Sequence, residues 1–295
     1  MAGCPPLCEA LGEAGTANSD FAKLHLHCPP SEPQGTRRYH PQRISFTHHN
    51  IRLDDGTFTK PEIGFLTSEF AWFLAAKRAI EVTFQDGMAG KRIVDLGCLE
   101  GGYTVEFARM GFDALGIEVR RNNFAACEYV RAHLDLPNLH FARDDVWNIE
   151  KYGRFDAIFC SGLLYHLDRP IEFLKMVSRL CRRLIILNTH VARETANPNF
   201  SLGEMTEHEG VPGRWLHEFD PTSPDLDQEE IRWSSWGNPQ SFWPRQEYIL
   251  DALRQGGFDM VFEQFNFLGD NISYEMSQGY YAMHDRRMLV GIKSS

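Results

Sequence analysis

From about residue 91 onward, short and continuously apolar runs alternate with longer stretches whose apolar residues recur at helical spacing. The runs predict strands at Arg92–Leu96, Ala114–Glu118, Leu139–Arg143, Asp156–Cys160 and Leu184–Asn188. The helical spacing predicts helices over Tyr103–Met110, Asn122–His133 and Pro170–Cys181. Strands apolar on both faces, set between amphipathic helices, imply an α/β fold with a doubly wound, mostly parallel sheet. A helix over Arg245–Gly256 and strands over Asp259–Phe267 and Met288–Lys293 complete the pattern.

Upstream, Phe70, Phe73, Leu74, Ile80, Val82 and Phe84 give a helix from about Ser68 to Phe84 a broad apolar stripe, interrupted by Lys77. "ISFTHHNIRLDDGTFT" predicts two short strands around the Asp55-Gly56 turn. The chain therefore divides into a tail (1–45) that reads as disordered, an N-terminal hairpin with a covering helix (46–90), and a main domain (91–295). Within that domain, residues 191–243 lack sustained periodicity yet carry Phe200, Trp215, Phe219, Trp233, Trp236, Phe242 and Trp243. So many large aromatics do not suit a solvated linker. This insert, placed before the last helix, is expected to be a substrate lid, with a structural flap or a homodimer contact as the alternative.

Composition narrows the function. A formal net charge of −10 disfavours a protein held to nucleic acid mainly by phosphate attraction. The seven cysteines are scattered, and Cys98, Cys127 and Cys160 sit within or beside apolar elements, as reduced cytoplasmic cysteines do. Cys4, Cys8, His25, His27 and Cys28 match no standard zinc spacing, so no metal is expected. No signal-type run or membrane-length apolar stretch is seen, and no membrane partner is expected.

The chemistry concentrates where the first strand ends, in "DLGCLEGG", Asp95 to Gly102. A dinucleotide site would show Gly-x-Gly-x-x-Gly, whereas acids at Asp95 and Glu100 would repel phosphate and suit a ligand carrying a sulfonium and an amino group. The Asp-x-Gly-x-x-x-Gly order resembles the first motif of the class I S-adenosylmethionine-dependent methyltransferases, whose fold is Rossmann-like. "ARDDVWNI" and "FDAIFCSGLLYHL" resemble the third and fourth motifs. The resemblance covers about Lys91 to Asn188. It implies S-adenosyl-L-methionine as cofactor, with Asp95, Gly97 and Gly101 around its methionine part. Glu118 would accept from the ribose hydroxyls, Asp145 would take the adenine amino group with Val146 against the ring, and Ser161 would end the strand beside the methyl group.

The acceptor is less constrained. Tyr165 and His166 follow the fourth strand, and His166 is the candidate base if the acceptor carries a proton, with Asp168 orienting it; a structural His is the alternative. Arg214, Trp215, Trp236 and Trp243 are candidate substrate contacts from the insert. Cys160 reads as a core cysteine, since no Pro-Cys precedes a nucleophile here. The principal expectation is methyl transfer to an O or N atom of a small molecule. "NIRLDDGTFTKPE", "GLLYHLDRP" and "SFWPRQEYILDALRQGGF" also resemble bacterial tRNA wobble-uridine carboxymethyltransferases, which use a carboxylated cofactor. That alternative needs a cation for the extra carboxylate, and the acidic site is expected to lack one. A cofactor-binding regulatory subunit without catalysis is the third reading.

Overall fold

The computed structural model describes residues 44–265 and 285–294. The tail and its Cys/His set up to residue 43 lie outside these, as does the expected strand end at 266–267. The first five apolar runs form β1 (Arg92–Leu96), β2 (Asp113–Glu118), β3 (Leu139–Arg143), β4 (Phe155–Ser161) and β5 (Cys181–His190). All five pair in parallel. Later strands are β6 (Thr206–His208), β7 (Val211–His217), β8 (Gln240–Pro244), β9 (Met260–Glu263) and β10 (Arg286–Ile292). The main sheet runs β3-β2-β1-β4-β5-β10-β9, with β10 antiparallel to both neighbours. The strand order reverses between β1 and β4, which opens a crevice at the carboxyl ends of these strands.

Alternating side chains explain why the strands are apolar throughout. Ile93 belongs to the hydrophobic core on one face of the sheet and Val94 to the core on the other. The first core is closed by α1 (Ala71–Thr83), α2 (Gly102–Arg109) and α3 (Arg121–Ala132), through Phe73, Ile80, Phe107 and Val130. The second is closed by α4 (Pro170–Leu180) and α5 (Gln246–Gln255), through Ile171, Leu174, Ile249 and Leu253. Pro170 opens α4, where its missing N–H is not needed.

Three expectations change. The Asp55-Gly56 segment is a turn with one antiparallel bridge, Arg52 to Phe58, because Asp55 closes it by accepting from both the N–H and the hydroxyl of Thr57. The covering helix starts later than expected, as Phe70 is extended, and its Leu74 and Val82 face solvent at 38% and 67% exposure. Residues 191–243 are not irregular throughout: β6, β7 and β8 form an antiparallel three-stranded sheet. Its central strand hides from pattern reading because Pro212 and Gly213 interrupt the alternation. Gly213 is required there, since a Cβ would strike the Trp243 carbonyl oxygen. Among the described residues no helix is long and apolar enough to cross a membrane, and no group of His, Cys, Asp and Glu is arranged to hold a metal.

Candidate active site

The turn after β1 is built from left-handed backbone: Gly97 at φ +69°, Leu99 at +55° and Gly101 at +80°. The N–H groups of Gly97 and Cys98 both donate to the Ile117 carbonyl, at 2.9 and 3.0 Å, which ties the turn to β2. Asp95 is buried and accepts from the Thr104 hydroxyl at 2.7 Å. Burial pushes its carboxyl up to about 7, with the Thr104 bond acting the other way and Glu118 adding to the rise. Glu100 departs from expectation. It is fully buried and points toward the N-terminal segment, accepting from the backbone of Thr47, from the Thr47 hydroxyl at 2.7 Å, and from the N–H groups of His48 and His49 at 3.1 and 2.8 Å. The acidic pair read from the turn therefore separates: Asp95 stays under the turn while Glu100 anchors another segment.

At the end of β2, Glu118 is buried, with Oε2 accepting from Leu99 N–H at 3.0 Å and Oε1 from Arg120 N–H at 2.8 Å. Burial lifts its carboxyl to about 7, opposed by those two bonds and by the Arg120 charge. The Asn123 side chain bonds the same carboxylate, which leaves part of its acceptor capacity open. After β3, the adjacent acids differ in employment. Asp144 accepts from Asn148 at 2.9 Å and Tyr152 at 2.7 Å and pairs with Lys151. Burial alone would raise it, yet these bonds hold it at about 2. The Asp145 side chain accepts only from Trp147 N–H among the described residues, through Oδ1 at 3.0 Å, so Oδ2 remains an acceptor beside buried Val146.

The chain after β4 supplies the other half. Ser161 Oγ accepts from Asn188 at 3.3 Å, and Asn188 in turn accepts from Arg286 Nε at 3.0 Å. The Arg286 guanidinium lies 5.5 Å from the Tyr165 ring centre. A cation thus stands beside the end of β4, contrary to the expectation that the site lacks one; its source, β10, is far from the motifs in sequence. His166 Nδ1 lies 2.8 Å from Glu218 Oε1. Glu218 thus holds His166 in the place expected of Asp168, whose side chain is instead 41% exposed and 3.8 Å from Arg169. Burial works to raise Glu218, but His166, the Ser241 hydroxyl at 2.6 Å and the Ser235 N–H at 3.1 Å bring it below the usual carboxylate value. Cys160 is buried and its thiol is pushed up to about 12 by that burial, which leaves it inert at neutral pH.

The insert reaches across the crevice. Glu229 accepts from the N–H groups of Arg121 and Asn122 at the start of α3, Ser234 and Ser235 carbonyls accept from Arg120, and Asn238 donates to the His166 carbonyl. Since these anchors follow β2 and β4, which flank β1, the segment between them lies over the carboxyl end of β1. Of the four expected substrate contacts, Arg214 and Trp243 are corrected. Arg214 is buried and gives its guanidinium to the carbonyls of Arg193, Gly203 and Glu194 at 2.8–3.1 Å. Trp243 has no exposed surface, stacks on His190 and donates to the Tyr165 carbonyl at 2.8 Å. Trp215 packs between His208 and Phe242 inside the small sheet. Trp236 lies against the Arg120 guanidinium at 5.2 Å, on the Glu118 side.

A doubly wound sheet with a glycine turn after its first strand and an acid closing its second defines a methyltransferase of the class I, Rossmann-like type. A family model described as a methyltransferase domain matches residues 72–261, and the chain belongs to that family. It is 28% identical over 115 residues to a ubiquinone biosynthesis O-methyltransferase of Acinetobacter baumannii (strain AYE), across 38% of this chain and 47% of the relative. Likeness to a tRNA U34 carboxymethyltransferase of Campylobacter hominis is 31% over 113 residues, across 38% of each. The chain spans about half the length, or less, of these curated relatives. Among solved structures, the N-terminal domain of EvdMO1 with SAH bound aligns at a TM-score of 0.57 and 25% identity, over 77% of this chain and 82% of that one.

Proposed function

We propose that this chain is an S-adenosylmethionine-dependent methyltransferase acting on an O or N atom of a small molecule. The observation that carries the reading is the His166–Glu218 pair at the end of β4, across β1 from the buried Glu118. The residues present fit the cofactor. Glu118 keeps acceptor capacity toward the ribose, Asp145 Oδ2 has it for the adenine amino group, and the glycine turn lets the backbone curve where side chains would collide. When bound, the cofactor supplies an electrophilic methyl group on a sulfonium. Glu218, kept ionised by its three donors, holds His166 by Nδ1 and leaves Nε2 to take the proton of an acceptor hydroxyl or amine. Tyr165 walls the same end of the crevice, and the insert excludes water, so that positioning contributes most of the acceleration.

A second reading is favoured by Arg286. A cation fixed by Asn188 beside Ser161 and Tyr165 would complement a carboxylate, on a carboxylated cofactor or on an acidic acceptor. One experiment separates the readings. The purified chain is titrated with S-adenosylhomocysteine, then supplied with S-adenosylmethionine or its carboxylated form against a nuclease-treated small-molecule extract and against bulk tRNA. Turnover with the ordinary cofactor and the extract supports the principal reading; turnover of the carboxylated form with tRNA replaces it. Binding with no turnover in any arm indicates a regulatory subunit.

A further inference from the structure

Arg120 stands at the junction between the nucleoside side of the crevice and the insert. Its backbone N–H donates to Glu118 Oε1 at 2.8 Å. Its Nη2 donates to the Ser234 carbonyl at 2.6 Å and approaches the Ser235 carbonyl at 3.4 Å. Ser235 N–H donates to Glu218 Oε2, and Glu218 Oε1 meets His166 Nδ1. These links form one continuous chain of bonds from the ribose-side carboxylate to the base pair. Arg120 is only 4% exposed, and its Nη1 has no hydrogen-bond partner among the described residues. A buried cationic nitrogen left unpaired is costly, which marks it as a position for a ligand atom rather than a finished structural bond.

We propose that Arg120 is a positioning residue: it senses occupation of the Glu118 site, through Nη1 and its own backbone, and holds the 234–241 segment so that Glu218 aligns His166. The inference rests on the methyltransferase reading above. It differs from a plain structural role, because a structural Arg stabilises the insert equally with and without ligand. Coupling requires instead that ligand binding and insert order strengthen each other by the same factor. Trp236, stacked on the guanidinium, fixes its plane and belongs to the same device.

The test uses the full chain with S-adenosylhomocysteine as probe. Amide hydrogen exchange over residues 234–241 and the His166 ring resonances are followed with and without it, in the wild type, Arg120→Gln and Arg120→Lys. The wild type is expected to show exchange slowed about tenfold on binding and a shifted His166 signal. Arg120→Gln should lose both responses and bind the probe about tenfold more weakly, and Arg120→Lys, which keeps the charge but not the fork, should fall between. An unchanged bound-to-free exchange ratio in Arg120→Gln, with the His166 shift retained, overturns the coupling alone. Failure of the wild type to bind the probe overturns the methyltransferase reading and this inference with it.

Discussion

Gly101 and Phe141 exclude a side chain between them: a Cβ on Gly101 would stand 2.6 Å from the Phe141 ring, while the glycine itself sits at φ +80°. Gly97, four positions earlier, is also left-handed at φ +69°, but a Cβ there would meet Leu163 at an ordinary 3.4 Å. The two glycines are therefore separable by mutation. Gly97→Ala is expected to cost about 1–2 kcal/mol of stability, from backbone strain alone. Gly101→Ala adds displacement of a packed ring and should cost clearly more. Urea unfolding of both variants checks the order; equal losses would mean that Phe141 moves freely.

Glu118→Ala should weaken S-adenosylhomocysteine binding by about 1.5–3 kcal/mol, roughly tenfold or more, because one carboxylate is expected to serve two hydroxyls. The same change frees the N–H groups of Leu99 and Arg120, so calorimetry is paired with a check of the folded state. Unaltered affinity in a folded variant would take Glu118 out of the site.

Glu218→Gln keeps the size of the side chain and removes its charge. Turnover should fall about tenfold or more, while S-adenosylhomocysteine affinity stays within about threefold, since His166 and Glu218 lie on the acceptor side. Asp168→Asn, at a largely exposed position, should leave turnover near the wild-type level. A large loss in the Asp168 variant with none at Glu218 would reverse the assignment of the orienting acid.

The two raised carboxyls give the protein a pH signature. Burial lifts Asp95 and Glu118 to about 7 from ordinary values of 3.8 and 4.5, so between those limits the folded chain keeps protons that the unfolded chain has released. Their protonation supports folding fully below the ordinary values, and that support is lost as pH rises through about 7. Buried His48 and His49, whose values burial lowers, act the other way, so the effect is read as a difference: from about pH 5.5 to about pH 8 the melting temperature of the ligand-free wild type is expected to fall relative to that of Glu118→Gln. Ribose hydroxyls donate to the ionised form, so S-adenosylhomocysteine should bind more tightly over the same rise. A melting temperature that increases with pH, and does so equally in Glu118→Gln, would contradict this account.

The parts of the molecule that sequence made legible are those set by local periodicity. β1 and β3 have the bounds expected: β1 is a central strand apolar on both faces, while β3, at the edge of the sheet, still turns Leu139 and Phe141 toward the core. Two adjacent acids look alike in sequence, and only the structure separates them, with Asp144 committed to Lys151, Asn148 and Tyr152. Glu218 was not legible. It stands in an acid-rich stretch that resembles a solvated loop, and its partner lies 52 positions away. Arg286 likewise reaches the site only because β10 inserts beside β5, a pairing that its own residues do not announce. The aromatics of the insert signalled burial correctly for Trp243 and Phe242, but burial does not reveal whether a ring faces a pocket or a sheet.

The Glu100 carboxylate has a bearing on how the chain can be cut. Four donors from residues 47–49 converge on it, and Gly102 N–H donates in return to His49 Nδ1 at 3.0 Å, so the glycine turn is clasped by a segment about fifty positions upstream. A fragment beginning at residue 91 would contain the glycine turn and the third and fourth motifs, yet it would lose all four donors to Glu100 and the helix that closes the first core through Phe73 and Ile80. Expression boundaries drawn where the repeating pattern begins would therefore yield an unstable product, whereas one starting ahead of Ile44 retains the clasp.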